Sequence, residues 1–115
     1  MRGGIMYNQG DIVLIPFPYS DLTENKQRPA LIISNNKINK TEDRICCLVT
    51  SKIHETDIEI NKNDFESNSL PFKSAVRPHR IFTIHEGIIK RKLCSIKKDF
   101  YGKVFSEIIK NFRSD

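Results

Sequence analysis

The chain has 115 residues, of which 38% are hydrophobic, with 19 Lys and Arg residues against 14 Asp and Glu residues. This length suits one domain with a modest core, and the formal net charge of +5 favours an acidic or polyanionic partner. Apolar runs are too short for a membrane span, and no long apolar segment follows the N-terminus. We therefore expect a cytoplasmic protein without a membrane partner or secretory signal. Residues 1–9 read as a flexible leader, and Met1 and Met6 are both candidate starts.

Apolar runs predict a series of β-strands, and several of these runs are continuous, which is typical of strands buried on both faces or of barrel strands. The predicted strands lie near residues 11–16, 29–34, 44–50, 57–60, 74–77 and 80–84. Asn35-Asn36 and residues 40–43 are turn material, and the polar stretch 61–71 predicts a loop with a short helical turn.

The C-terminal segment predicts an amphipathic helix over about residues 97–112. Apolar residues recur there in two adjacent rows: Ile96, Phe100, Val104, Ile108 and Phe112, and Tyr101, Phe105 and Ile109. Such a stripe is usually core, although part of it also suits a second subunit. Gly102 is expected to let the helix lie close to the sheet. Short strands followed by one terminal helix indicate a mainly β (α+β) fold, a bent antiparallel sheet or small barrel with a packed helix.

Cys46, Cys47 and Cys94 are odd in number and two of them are adjacent, so no disulfide framework is apparent. Small apolar cysteines in a reducing compartment fit this pattern. A metal site or a Cys–His nucleophile would need a ligand or partner spacing that the three histidines do not provide. We therefore expect no metal and no cofactor.

The most informative motif is Gln27-Arg28-Pro29 followed by the apolar run 30–33. Proline cannot donate to a strand ladder, so it belongs at the first residues of a strand. Arg28 is thereby presented at a strand mouth beside the polar loop 19–26, where binding residues are common. Its guanidinium is always charged and can fork onto phosphate oxygens. Position and charge equally suit a surface arginine paired with Asp21 or Glu24.

Five short motifs precede the amphipathic C-terminus in a fixed order: Gly10-Asp11-Ile12-Val13, Arg28-Pro29-Ala30-Leu31, Leu48-Val49-Thr50-Ser51, Ser74-Ala75-Val76 and Ile81-Phe82-Thr83-Ile84. This ordered set resembles the MazF/PemK family of toxins from bacterial toxin–antitoxin pairs. The resemblance implies an SH3-like barrel of the PemK/CcdB kind, usually a homodimer. It also implies a sequence-selective endoribonuclease that cleaves single-stranded RNA, chiefly mRNA, and inhibits growth. The implied partner is a cognate antitoxin whose acidic segment covers the site and loop 19–26, with DNA contacted only through the antitoxin.

The resemblance assigns catalysis to Arg28 and Thr50, the positions of the family's active pair. RNA can be cut without metal, because the ribose 2′-hydroxyl attacks the phosphorus and leaves a 2′,3′-cyclic phosphate and a 5′-hydroxyl. Arg28 suits stabilisation of the phosphorane charge, although family accounts also consider an acid/base role. Thr50 suits a hydrogen bond to the scissile phosphate or the 2′-hydroxyl, and Ser51 could share or replace this role. From the sequence alone, a strand-end Thr-Ser pair is more typical of backbone capping.

Further residues are candidates for RNA binding. Phe17 and Tyr19 flank the first loop and could stack on unpaired bases, although Phe17 equally suits the core. Arg77, His79 and Arg80 could contact phosphates or bases, and they equally suit a basic surface turn. Better-known relatives carry an acidic-Gln-Ile-Arg segment where this chain has residues 79–82, so their preference for a cleavage sequence does not transfer.

Two other functions fit the same sequence. A gyrase-poisoning toxin can have this fold, because fold does not fix function. A non-catalytic RNA-binding barrel is the second alternative. The Arg28-Pro29 pair together with Thr50 is what nuclease members carry, and it favours RNA cleavage.

Overall fold

In a computed structural model of the chain, residues 5–16 and 26–115 are described. The strands of this part are β1 (Asp11–Pro16), β2 (Gln27–Ile32), β3 (Asp43–Thr50), β4 (Ile58–Ile60), β5 (Phe65–Ser67), β6 (Ser74–His85) and β7 (Arg91–Ile96). The helices are α1 (Asn36–Asn39) and α2 (Lys98–Lys110), with 3-10 turns at Lys62–Asp64 and Glu86–Ile88. Within the described residues, no helix is long and apolar enough to cross a membrane.

All seven strands join one antiparallel sheet in the order β4-β6-β3-β2-β1-β7-β5. The sheet bends into a nearly closed barrel, and the C-terminal helix α2 packs against it. The expected mainly β barrel with a terminal amphipathic helix is therefore confirmed.

Two apolar cores lie on the two faces of this sheet, because successive residues of a strand point to opposite faces. One core includes α2 and is formed by residues such as Ile12, Leu31, Val49, Val76, Phe100, Val104 and Ile108. The other is formed by residues such as Val13, Ile15, Ala30, Ile32, Leu48, Phe82 and Ile84. Strands buried on both faces explain why the apolar runs of β1, β2 and β3 are continuous rather than alternating.

Four predicted elements differ from the structure. The runs 74–77 and 80–84 belong to one long strand, β6, whose pairing with β3 jumps from Arg77 to Ile81. Residues 78–80 bulge out of the ladder between the two runs. Because these residues interrupt the apolar pattern, the sequence predicts two strands. β5 lies in the predicted polar loop, and β7 begins in the basic run 90–92, which reads as solvated charge. The predicted turn at Asn35 is the N-cap of α1.

The Gly10-Asp11 motif fixes the start of β1. Gly10 has φ +93°, a conformation that strains residues with a side chain. Its N–H donates to the carbonyl of Ile32, and its carbonyl accepts from Ile96, so it joins β1 to β2 and β7. The segment expected to be a flexible leader contacts the barrel near this point, since the Gln9 amide donates to the carbonyl of Ile33.

Helix α2 confirms the predicted amphipathic helix, with Phe100, Val104 and Ile108 buried against the sheet. Two details of the expectation were wrong. Phe112 lies beyond the helix and is 74% exposed. Gly102 does not allow a close approach to the sheet, because it is exposed and a Cβ built on it meets no atom within 4 Å.

Gly102→Ala is expected to stabilise the protein by about 0.5–1 kcal/mol, the difference in helix propensity between the two residues. The open space around this position means that the added methyl group strains nothing. Thermal or urea unfolding of the two proteins at equal concentration measures the difference. A lower stability of the alanine variant would contradict this placement of the helix.

A buried arginine holds the end of the barrel opposite to Thr50. Arg44 is 2% exposed and donates to the carbonyls of Tyr7, Thr41 and Asp43. It also forms an ion pair with Glu86 at 3.3 Å. These partners satisfy the guanidinium inside the protein, where an unpaired charge would be very costly.

Candidate functional site

Arg28 and Thr50 are brought together by the register of β2 and β3. Ala30 pairs with Leu48 across these two strands. The β2–β3 ladder ends at this pair, and Arg28 and Thr50 each lie two residues beyond it, toward the same end of the sheet. Pro29 lacks an N–H, which ends regular ladder bonding at this point. The two residues assigned to catalysis therefore lie on one face at one end of the barrel.

The Thr50 hydroxyl is already oriented by the backbone that follows it. Its oxygen accepts the N–H of Lys52 at 3.0 Å, and it lies 3.5 Å from the carbonyl oxygen of the same residue. Thr50 thus caps the turn after β3, as a strand-end threonine is expected to do. Capping uses one lone pair, and the Thr50 O–H itself donates weakly to the Lys52 carbonyl. Ser51 is exposed beside it.

Arg77 lies on the same face as Thr50, because it pairs with Leu48, two residues before Thr50 on β3. Its guanidinium binds Asp57 through two hydrogen bonds, at 3.1 Å from Nε and 3.0 Å from Nη2. Nη2 also donates to the carbonyl of Lys52 at 3.0 Å. The side chains are 12% and 0% exposed, respectively, so this ion pair is shielded from water.

Asp57 is ionised in this arrangement. Burial opposes the charge of its carboxyl, but the hydrogen bonds from Arg77 and from the backbone N–H of His54, together with the charge of Arg77, outweigh burial. They hold the pKa of Asp57 below its usual value. A carboxylate with a lowered pKa contributes stability above the pKa of the unfolded chain and loses it as the pH falls. The Arg77–Asp57 pair is therefore intact at neutral pH.

Of the other predicted RNA-binding residues, two lie in the bulge of β6 and two fall outside the described part of the chain. His79 and Arg80 are exposed in the β6 bulge. His79 lines a groove of about 770 Å³ between β4, the bulge and α2, with Lys103 and Glu107 on its helix side. Neither Arg28 nor Thr50 lines this groove. Phe17 and Tyr19, like most of loop 19–26, lie outside the described residues.

Sequence reasoning missed three features of this end of the barrel. Asp57 and Lys52 bind Arg77, and no local motif marks either of them. Phe72 is 73% exposed just before the start of β6, whose Ala75 pairs with Thr50. No sequence motif singles out Phe72.

The three cysteines lie in the cores and are shielded from chemistry. Burial raises the pKa of Cys46 and of Cys47 to about 12 and that of Cys94 to about 11. Their thiols therefore stay protonated at neutral pH, and a protonated thiol is a poor nucleophile and metal ligand. Among the described residues, no group of three or more His, Cys, Asp or Glu residues is arranged to hold a metal ion.

A family model described as a PemK-like, MazF-like toxin of type II toxin–antitoxin systems matches residues 8–112. The match includes Arg28, Thr50, Asp57 and Arg77, so all parts of the arrangement above fall inside it. No curated protein has significant sequence similarity to the chain.

Solved structures share the fold at low sequence identity. A mycobacterial endoribonuclease in complex with its cognate antitoxin superposes with a TM-score of 0.76 and 18% identity, covering 93% of this chain and 95% of that one. A second mycobacterial endoribonuclease gives 0.72 and 19%, covering 92% and 90%. MazF in the MazE–MazF complex of Deinococcus radiodurans gives 0.71 and 17%, covering 95% and 97%.

Proposed function

Because the chain belongs to the PemK-like, MazF-like toxin family of type II toxin–antitoxin systems, we propose that it is an endoribonuclease toxin. It cleaves single-stranded RNA, chiefly mRNA, in a sequence-selective manner and so inhibits growth. The observation that carries this proposal is that Arg28 and Thr50 each lie two residues beyond the Ala30–Leu48 pair, on one face at the same end of β2 and β3. A fixed positive charge and an oriented hydroxyl on one face are the groups that a phosphate-centred reaction needs.

The proposed chemistry uses the RNA's own nucleophile. The 2′-hydroxyl attacks the neighbouring phosphorus, the P–O5′ bond breaks, and the products carry a 2′,3′-cyclic phosphate and a 5′-hydroxyl. Arg28 stabilises the charge on the phosphorane oxygens, where a planar fork fits two oxygens at once. Thr50 exchanges its weak bond to the Lys52 carbonyl for a hydrogen bond to a phosphate oxygen. No step requires a metal or a cofactor.

Binding of the RNA on either side of the cut is assigned to five further residues. Ser51 follows Thr50 directly and can share its hydrogen bond. Arg80 and His79 extend the surface along the bulge of β6, and Phe17 and Tyr19 are proposed to stack on bases. The net charge of +5 favours approach of a polyanion.

A cognate antitoxin is the proposed protein partner, in the cytoplasm. The family membership and the antitoxin-bound mycobacterial and Deinococcus structures support it. We propose that an acidic segment of the antitoxin covers Arg28 and Thr50, because its carboxylates would compete with RNA phosphates for the same positive charge. DNA is contacted only through the antitoxin.

The protein is also expected to be a homodimer. Apolar side chains on α2 and just after it remain uncovered, with Phe105 46% and Phe112 74% exposed, and a second subunit would bury them. Sedimentation at micromolar concentration should give twice the chain mass, and apparent stability should rise with concentration. Monomer as the single species under these conditions would contradict the expectation.

The proposed function is tested by incubating the purified protein with one long, unstructured RNA and mapping the 5′ ends of the fragments. Cleavage at a small set of sequences without ribosomes is the expected result. The same protein is added to a DNA gyrase supercoiling assay in parallel. Intact RNA at enzyme excess would overturn the proposal, and gyrase inhibition with intact RNA would establish the gyrase-poisoning alternative instead.

A further inference from the structure

A continuous chain of hydrogen bonds joins β6 to the Thr50 hydroxyl. Asp57 grips the Arg77 guanidinium through both carboxylate oxygens. Arg77 donates to the carbonyl of Lys52 at 3.0 Å. The N–H of Lys52 donates to the Thr50 oxygen at 3.0 Å. Each hydrogen bond helps to fix the position of the next group, so a displacement of Arg77 displaces the turn that orients Thr50.

The anchor of this chain is rigid. Asp57 also accepts the backbone N–H of His54 at 2.8 Å, while its own N–H donates to the carbonyl of His54 at 3.0 Å. The turn after β3 is therefore tied to one buried carboxylate at its far end and to Arg77 in its middle. An arginine fork on a carboxylate fixes both distance and orientation, which a single contact does not.

Arg77 also affects which acceptor the Thr50 O–H can bind. The Thr50 oxygen lies 3.5 Å from the Lys52 carbonyl, a weak contact, whereas the Arg77 nitrogen lies 3.0 Å from the same carbonyl. The Lys52 carbonyl accepts both hydrogen bonds, and the one from Arg77 is the shorter. Because Arg77 keeps this carbonyl hydrogen-bonded, Thr50 can turn its O–H from the weak bond to a phosphate oxygen.

We infer that Arg77 and Asp57 form a positioning pair for Thr50 and act on RNA cleavage through the Lys52 turn rather than by contact with RNA. This inference rests on the proposed function for its effect on cleavage. The alternative is that Arg77 binds a phosphate directly, as its charge and its place beside the basic bulge suggest. A side chain that is 12% exposed and already forked onto Asp57 is a poor phosphate ligand.

The test combines kinetics with amide exchange. Arg77→Lys and Asp57→Asn are prepared alone and in a Thr50→Ala background. Arg44→Lys is the matched control, because Arg44 is another buried arginine with a carboxylate partner but lies at the opposite end of β3. Circular dichroism and unfolding curves establish that each variant is folded at the assay temperature. If Arg77→Lys is not folded, Asp57→Asn alone provides the test.

The positioning role predicts a particular pattern. Each single variant lowers the single-turnover rate at saturating RNA by up to about 100-fold, the scale for a catalytic group displaced by about 1 Å, with little change in KM. In the Thr50→Ala background the same changes cost less than about twofold, because the group they position is gone. Exchange of the Lys52 amide, measured by NMR without RNA, accelerates in both variants and not in Arg44→Lys.

Two results would overturn the inference. A higher KM, a loss that adds fully to that of Thr50→Ala, and a salt dependence reduced by about one phosphate contact would show that Arg77 binds RNA directly. Unchanged Lys52 exchange in folded variants would show that the chain does not hold the turn. If the parent protein cuts no RNA, the proposed function fails, yet the exchange measurement still decides whether the pair orients Thr50.

Discussion

Arg28→Ala is expected to lower single-turnover cleavage of a short RNA by about 100-fold or more, the scale for removing a preorganised charge-stabilising donor. Arg28 and Thr50 each lie two residues beyond the Ala30–Leu48 pair, and in the proposed mechanism the charge of Arg28 stabilises the phosphate that Thr50 contacts. Arg28→Lys should recover little of the lost rate, because an ammonium group lacks the planar fork that holds two oxygens. Thr50→Ala should also reduce the rate, and the double variant should lose less than the product of the two factors.

Folding is the necessary control for this prediction. Arg28 lies at the mouth of β2, and its backbone pairs with Ile15 of β1, so alanine keeps the strand. Circular dichroism and sedimentation should match those of the parent protein. If a well-folded Arg28→Ala protein cuts RNA at nearly the parent rate, the catalytic assignment fails and the exposed bulge with His79 and Arg80 becomes the better candidate.

Replacing the 2′-hydroxyl with hydrogen at a single cleavage position is expected to abolish cutting there and leave cutting at other positions unchanged. In the proposed chemistry this oxygen is the nucleophile, so no side chain can replace it. Mass spectrometry of the fragments from the unmodified RNA should find 2′,3′-cyclic phosphate or its opened 3′-phosphate, and a free 5′-hydroxyl.

Metal dependence is the control for the same mechanism. Cleavage should proceed at an unchanged rate in EDTA, because Arg28 supplies the positive charge that a metal ion would otherwise supply. Activity lost in EDTA and restored by magnesium would contradict the mechanism. Cutting at the deoxy position would contradict it independently, since the attacking oxygen would then have come from water.

The sequence predicted the parts of the fold that have a strong period. β1, β3 and α2 were found because long apolar runs or a four-residue repeat mark them. β7 was missed because its first residues, Arg91 and Lys92, are charged and its last apolar residue, Ile96, fits the stripe of the following helix. β5 has three residues and, within residues 5–16 and 26–115, pairs only with β7. Such strands are created by pairing partners that are distant in the sequence, not by their own composition.

In the candidate site, too, some residues are marked by a local sequence signal and others are not. Arg28 and Thr50 carry local signals, a proline beside a strand and a hydroxyl at a strand end. The partner of Arg77 carries none, because Asp57 lies 20 residues away and its carboxylate meets the guanidinium through the pairing of β3, β4 and β6. Whether an arginine contacts a ligand or a carboxylate depends on such tertiary neighbours, which charge patterning does not reveal.

Residues in the bulge of β6 can be substituted without affecting the pairing of β6 with β3. Leu48 pairs with Arg77 and the adjacent Cys47 pairs with Ile81, so the ladder is complete on both sides without residues 78–80. The side chains of His79 and Arg80 are exposed and set no register. Mutations there can therefore accumulate without shifting a strand or moving Thr50.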